Sequence, residues 1–307
     1  MKDSSYVMSG NFEGTPVTLG ELRTDEVGRL LVLPGFGVSA SPSNQPVYNP
    51  DKPNSFNNAN GWYDDIADGP VYAKVTIGGV DYDADSAWVA AGPPNFAPDL
   101  VGWRTMDDLL QNVYMQSGML SVPQRISFNE HVRPILERLS ELQWVNKGFL
   151  SMFGAGAPMN FNDPELMKKL SYVPLDTTMY PDPYVELRRG IYNSFRPTNT
   201  QIAEVAAWPS IYGDAFGYTN PDPTLPPAAS TYLQLPPFYT YVLTNWVNGL
   251  FVNDYDHNHK EPHKIEEVDL QKQPETLDRA AMHFCLADAF HPGAELTWPM
   301  RNASMYR

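Results

Sequence analysis

The sequence predicts an α+β protein with a β-rich, sandwich-like N-terminal part and a proline-rich, mainly helical C-terminal part. Three observations carry this. Apolar residues alternate with polar ones in short runs before about residue 103. From 104 onward they recur at i, i+3, i+4 and i+7, the spacing of an amphipathic helix. Third, 29 prolines among 307 residues punctuate the chain throughout, which forbids long uninterrupted helices because each internal proline removes a donor and clashes one turn back.

The elements follow in order. Arg29-Leu30-Leu31-Val32-Leu33 is a short apolar run closed by Pro34-Gly35 and reads as a buried strand. Val71, Ala73, Val75 and Ile77 alternate with Tyr72, Lys74 and Thr76, the pattern of a strand buried on one face. Gly78-Gly79 and then Val80-Asp81-Tyr82 make it a hairpin. Between these runs lies a long loop, residues 39–68, rich in Ser, Asn, Pro and Asp. Loops of that length are functional or disordered. Tyr48, Phe56, Trp62 and Tyr63 would either line a pocket mouth or hold the loop on its own aromatics, and the second reading is favoured.

Thr105 and Asp108 supply an acidic capping box for a helix carrying Met106, Leu109, Leu110, Val113 and Tyr114. Asn129 is a candidate N-cap for the stripe Val132, Ile135, Leu136, Leu139 and Leu142. Asp163-Pro164 opens a short helix with proline at its first position. Further apolar stripes run through Tyr184, Leu187, Ile191 and Phe195, and through Tyr239, Val242, Leu243, Trp246 and Leu250, the latter cut near Gly249. A last helix is expected from Pro274 to Ala289, stopped by Pro292-Gly293. The simplest division is 1–103 and 104–307, with a shared core left open.

Composition excludes several functions. The formal charge of −15 argues against a nucleic-acid backbone as partner. No apolar run approaches the ~20 residues needed to span a bilayer, and the opening residues lack the apolar stretch of a secretory signal. A soluble protein is expected, cytoplasmic or non-classically secreted. The lone cysteine, Cys285, forbids an internal disulfide or a thiolate metal cage within one chain. Neither a phosphate-binding glycine loop nor a nucleophile elbow is present.

Two segments could carry chemistry. On the last helix Asp278, Ala281 and Asp288 project near Cys285, placing two carboxylates beside a thiol on a largely apolar face. Burial would raise those carboxyls towards proton-transfer range, whereas the plainer reading makes Cys285 a small core residue. The second segment holds Asp254, Asp256, His257, His259 and His263, dense enough in imidazole and carboxylate to suggest a divalent cation. Its polarity and Pro262 favour an exposed loop instead, so no metal site is expected.

Several stretches together resemble the LodA-like family, the cysteine tryptophylquinone amino-acid oxidases. They include Leu19 to Glu26 with Gly28 to Leu33, Gly61-Trp62-Tyr63-Asp64-Asp65, Asp68-Gly69-Pro70-Val71, Ala87-Trp88-Val89 and Pro93 to Pro98. Gln143-Trp144-Val145-Asn146, Tyr212-Gly213-Asp214, and Leu243 with Trp246, Gly249 and Phe251 continue the series. The most specific is Cys285 to Trp298, where a cysteine precedes Phe290-His291-Pro292-Gly293-Ala294-Glu295. The resemblance covers nearly the whole chain and corresponds to the central part of the family. It implies a protein-derived quinone built from Cys285 and a tryptophan whose counterpart lies beyond this chain, Trp298 being the indole nearest in sequence. It further implies oxidative deamination of a primary amine of an amino acid by O2, giving ammonia and hydrogen peroxide. A base must then reach the α-proton, and Asp288, His291 and Glu295 are the candidates, in that order. The remaining family segments, or a partner chain in an oligomer, would complete the unit. Two departures stand against this: Ala281 occupies the position of an acid linked to cofactor formation, and Ala287-Asp288 follow the cysteine where glycines are usual. They support the alternative of a catalytically inactive structural or interaction subunit with the same fold.

Overall fold

The computed structural model describes residues 5–46, 60–65, 67–91, 100–175, 179–201, 204–211, 213, 224, 228–258, 262 and 264–283. Helices and small sheets are both present, as the α+β expectation requires. The chain separates into two compact units, one reaching Phe96 and taking back Val268–Ala281, the other spanning Ala97–Glu267.

In the first unit, β1 (Ser5–Phe12), β2 (Thr15–Thr24) and β3 (Leu30–Leu33) form an antiparallel sheet in that order. β3 is therefore an edge strand. Leu30 and Leu31 are exposed, so the buried strand expected there is corrected to an edge strand with solvent on its side chains. Inside the long loop β4 (Ser39–Ala40) pairs with β5 (Tyr63–Asp64), and residues 47–59, with Tyr48 and Phe56, lie outside the described residues. The Trp62 indole donates to the Gln45 carbonyl at 2.8 Å and the Tyr63 ring lies 5.4 Å from that of Phe12, so these two aromatics help to hold the loop ends.

β6 (Ala67–Val71) pairs with β9 (Ala87–Ala91), and between them β7 (Lys74–Ile77) pairs with β8 (Val80–Asp83). The turn is the expected one: Gly78 and Gly79 both take positive φ, 59° and 83°, as a two-residue turn matching strand twist requires. Ala84 donates to Ala73 at 2.9 Å, so the two ladders are consecutive. Val71 faces Ala87 and Lys74 faces Asp83. With Ala73 opposite Ala84, Asp85 and Ser86 together stand opposite Tyr72, a one-residue bulge. The expectation that this hairpin buries one face fails, because its side chains from Lys74 to Asp83 are all exposed.

The second unit holds the core. α1 (Met106–Gln116) starts at the predicted capping box, with Asp108 donating its amide to the Thr105 hydroxyl and accepting from the Thr105 amide at 2.8 Å. β10 (Ile126–Ser127) leads into a π-helical turn, Phe128–Val132, and then α2 (Arg133–Glu141). The N-cap of the π-helical turn is Ser127, not Asn129, since the Ser127 hydroxyl accepts the Glu130 amide at 2.9 Å, and α2 follows from that turn with no side-chain cap of its own. α3 (Lys147–Phe153), capped by Asn146, is an element that the sequence reading missed. α4 (Pro164–Leu170) begins as predicted, with Asp163 accepting the Glu165 amide at 3.0 Å. α5 (Val185–Ser194) and α6 (Pro237–Val247) carry the two later stripes. Gly249, at φ 72°, lets Leu250 donate back to Asn245, which ends the α6 stripe and leaves Leu250 exposed. β11 (Phe251–Val252) pairs in parallel with β10. The last described helix, α7 (Gln273–His283), belongs as far as Ala281 to the first unit.

Trp103, Phe128, Leu136, Phe161, Val242 and Trp246 are the centre of the core, each at most 1% exposed. Two buried indoles are paired: Trp103 donates to the Ile135 carbonyl at 3.1 Å and Trp246 to that of Leu170 at 2.9 Å. Among the described residues three arginines are also buried. Arg196 donates to the carbonyls of Pro209, Leu233, Ala207 and Glu204, tying separate loops to one guanidinium. Arg188 pairs with Asp182 and donates to Tyr172 at 3.1 Å. Arg138 joins Asp108 at 2.6 Å and the Tyr239 hydroxyl at 3.1 Å, connecting α2 to α1 and α6.

Asp108→Ala removes the α1 cap and strands the Arg138 charge, so it is expected to cost about 3–5 kcal/mol in urea unfolding of the full chain. Tyr239→Phe keeps the ion pair and should cost about 1 kcal/mol. Equal, small losses in the two variants would mean that water replaces the carboxylate around Arg138.

Candidate functional site

α7 leads towards the cysteine segment. Asp269 accepts the Gln271 amide at 3.2 Å and its carbonyl accepts the Gln273 amide at 3.1 Å, which sets the first turn, and Pro274 follows where no amide donor is needed. The helix is described to His283, two positions before Cys285. Leu277, expected on the apolar face shared with Cys285, is exposed instead. Cys285, Asp288, His291, Glu295 and Trp298 all lie outside the described residues.

The acidic and histidine-rich segment is described in part: Asp254, Asp256 and His257 are placed, whereas His259 and His263 lie outside the described residues. The parallel pairing of β10 with β11 brings Ser127 opposite Val252 and so carries Asp254 to the start of the π-helical turn. There the Ser127 hydroxyl donates to Asp254 Oδ2 at 2.5 Å and the Asn129 amide to Oδ1 at 3.0 Å, while the Asn129 side chain donates to the Asp254 carbonyl. Partial burial pushes the Asp254 carboxyl up, but the Ser127 hydroxyl and backbone N–H groups including that of Asn129 outweigh it and hold the group below its ordinary value. Asp256 accepts the Asn258 amide at 2.8 Å and offers its carbonyl to Arg133 at 3.2 Å. Both oxygens of Asp254 are thus engaged in fixing local structure. Among the described residues no group of three His, Cys, Asp or Glu side chains is placed to hold a metal ion.

Next to this lock, His131 accepts the Ser127 amide through Nδ1 at 3.1 Å, and Glu137 accepts from Arg133 at 2.7 Å. Burial raises the Glu137 carboxyl, with Arg133 acting against it, and burial also raises Glu141 one turn on. Sequence reading missed this polar network. Its one legible signal was Asp254 itself, which was considered as a metal ligand rather than as a cap.

The L-lysine epsilon oxidase N-terminal family matches residues 1–91, and the L-lysine epsilon oxidase C-terminal domain family matches residues 217–307. The chain belongs to the LodA-like family. A LodA-like relative, the L-lysine 6-oxidase of Marinomonas mediterranea, is 25% identical over 321 residues, covering 94% of this chain and 39% of that protein. The solved L-Lys epsilon-oxidase of the same organism superposes with a TM-score of 0.61 at 22% identity, over 98% of this chain and 42% of that one. The structure of its Schiff base intermediate with L-Lys gives 0.60 at 22% identity, over 96% and 42%. The fold is therefore the LodA-like fold, and the chain spans about two-fifths of the length of the relatives it matches. The C-terminal family match contains the whole stretch from Cys285 to Trp298. Among the described residues no helix is long and apolar enough to cross a membrane.

Asp254→Asn and Ser127→Ala should each lower stability by about 1 kcal/mol at neutral pH. Because the folded Asp254 carboxyl is held low, its contribution is complete above the unfolded value of about 3.9 and is lost as pH falls through the lower folded value. Thermal unfolding of wild type and Asp254→Asn should therefore differ equally at pH 7 and pH 5 and converge only below about pH 4. A gap that closes between pH 7 and pH 5 would assign the effect to another group.

Proposed function

We propose that this chain is the cysteine-bearing portion of a quinoprotein amino-acid oxidase, which oxidatively deaminates a primary amine with O2 and releases ammonia and hydrogen peroxide. The observation that carries the reading is the match to an L-lysine 6-oxidase across 94% of the chain, with Cys285, the chain's lone cysteine, inside the C-terminal family match. From Cys285 to Trp298 the sequence offers a thiol, an indole, two carboxylates and an imidazole, a set that fits a thioether-linked cysteine tryptophylquinone. Such a group supplies an electrophilic carbonyl for the substrate amine and accepts two electrons.

In this proposal Cys285 provides the thioether sulfur. Its indole partner is a tryptophan from the rest of a family-length assembly, with Trp298 as the nearest alternative within the chain. Asp288 is the first candidate to take the α-proton, followed by His291 and Glu295. The substrate is an amino acid bearing a primary amine, and the catalytic unit is larger than this chain. A second reading, a structural or interaction subunit that never forms the quinone, is favoured by Ala281 standing where the resemblance expects an acid.

Peptide mass analysis of the natural protein distinguishes them. The oxidase reading expects the Cys285 peptide joined to a tryptophan peptide that carries two added oxygens, together with peroxide release on addition of an amino acid. Cys285→Ala should abolish both. A free, alkylatable thiol at position 285 and no peroxide from any amino acid would establish the structural subunit instead.

A further inference from the structure

The base of the long loop holds a reactive pair of residues that the oxidase reading does not use. Two Asn-Gly dipeptides occur in the chain, Asn60-Gly61 and Asn248-Gly249. In such a pair the glycine nitrogen can attack the asparagine carboxamide, because no Cβ obstructs the approach. The fold treats the two pairs oppositely. Asn248 ends α6, where its amide donates to the Thr244 carbonyl at 3.2 Å and the Gly249 amide donates to that of Trp246 at 3.1 Å. The nitrogen that would attack is therefore held in a hydrogen bond, and the Leu250 amide closes the turn on Asn245 at 2.9 Å. Asn60 is exposed, and among the described residues no partner is placed for the Gly61 amide. Gly61 also lies beside two polar groups. A side chain there would meet Ser43 Oγ at 3.2 Å and Glu13 Oε2 at 3.8 Å. Glu13 reaches this point from the β1–β2 turn, in which Glu13 and Gly14 both take positive φ, 48° and 82°.

We propose that Asn60-Gly61 is a site of spontaneous deamidation assisted by Glu13, and that Asn248-Gly249 is protected from the same reaction. The Gly61 nitrogen gives its proton to the Glu13 carboxylate and bonds to the side-chain carbonyl carbon of Asn60. The carbon–nitrogen bond of the carboxamide then breaks, and its nitrogen leaves as ammonia with the proton returned by Glu13. A cyclic succinimide remains. Water opens it at either carbonyl and leaves aspartate or isoaspartate at position 60, with no change of oxidation state. Either product makes the chain one charge more negative than −15 and sets a new carboxylate near that of Glu13. Isoaspartate also inserts a methylene into the backbone just before Gly61 and Trp62. That stretch is the anchor of the loop: the Trp62 indole binds the Gln45 carbonyl at 2.8 Å, and Tyr63 and Asp64 pair with Ala40 and Ser39. Deamidation therefore loosens the β4–β5 pairing that closes the loop. The reaction needs water alone and no quinone, so it stands or falls apart from the oxidase reading.

Peptide mass spectrometry of the full chain, sampled during incubation in mildly alkaline buffer with and without urea, tests this. In the folded chain the Asn60 peptide should gain one mass unit about tenfold faster than the Asn248 peptide, which must wait for the end of α6 to open. In urea neither pair is held, and the two rates should agree within about twofold. Glu13→Gln should slow the folded-state reaction at Asn60 several-fold and leave the rate in urea unchanged. Asn60→Gln, whose longer carboxamide is badly placed for ring closure, should keep the circular dichroism of wild type and show no mass gain at that peptide. In the deamidated fraction the amides of Tyr63 and Asp64 should exchange faster than in fresh protein. Equal rates at Asn60 and Asn248 in the folded chain, or a difference that persists in urea, would overturn the protection. An unaltered rate in Glu13→Gln would overturn the role of that carboxylate, and unchanged amide exchange the loosening of the loop.

Discussion

The helical unit depends on the charge of Arg138 withdrawn from water. A guanidinium in a largely apolar interior costs several kcal/mol in lost hydration, and only close partners recover it. Asp108 does so while also holding the Thr105 amide and hydroxyl, so one carboxylate starts α1 and neutralises α2. Tyr239 brings α6 to the same point. Burial, followed by the neighbouring Asp108 charge, pushes its phenol well above the usual range, so it stays protonated and remains a hydrogen-bonding group. The apolar contacts around it are non-directional; the ion pair is what fixes how the three helices meet. Trp103 fits the same rule, its indole donating to Ile135 and its carbonyl lying 3.4 Å from the Arg138 guanidinium.

The two units solve the burial problem differently. In the second, prolines and loops interrupt the helices, and buried arginines compensate by collecting the carbonyls that the broken backbone leaves unpaired. Arg196, with four carbonyl partners from loop segments and the Tyr232 ring 4.9 Å away, is the clearest case. In the first, the strands are short and paired in twos and threes, and apolar side chains on Leu19, Leu30, Phe36 and the 74–83 hairpin remain at the surface. Regular hydrogen bonding shapes that unit more than apolar burial does.

Local rules were legible where the cause is local. The Thr105 capping box, Asp163-Pro164, the Gly78-Gly79 turn and the stop at Gly249 each need only neighbours in sequence, and each is in place. Burial was less legible because it depends on distant partners. The alternation at 71–77 gave strand pairing, which the structure divides between β6 and β7 at Tyr72 and Ala73, but could not say that the described residues leave the side chains of 74–77 exposed. Asn129 looked like a cap because its residue type favours one, yet Ser127 takes that place because β11 brings Asp254 to bind both residues from 125 or more positions away. Arg138 was invisible in the sequence, since a charged residue within an apolar stripe reads as solvent-facing until Asp108 and Tyr239 are seen beside it. For the candidate site, α7 as far as His283 was legible from periodicity, and the cysteine segment from resemblance alone.

The Asp254 geometry also bears on where the chemistry belongs. A carboxylate works as a general base near neutral pH only if its pKa lies close to that range. Oδ2 of Asp254 receives a hydroxyl at 2.5 Å and Oδ1 an amide at 3.0 Å, and these bonds hold its pKa below the ordinary carboxylate value, further from the near-neutral range that suits a general base. Arg133, close by, is drawn to Glu137, to the Asp256 carbonyl and to the Tyr255 ring 5.7 Å away. This polar cluster therefore joins the 253–258 loop to the π-helical turn and to α2. The proposed function looks instead to the stretch from Cys285 to Glu295, where the sequence puts a thiol, an imidazole and two carboxylates close together.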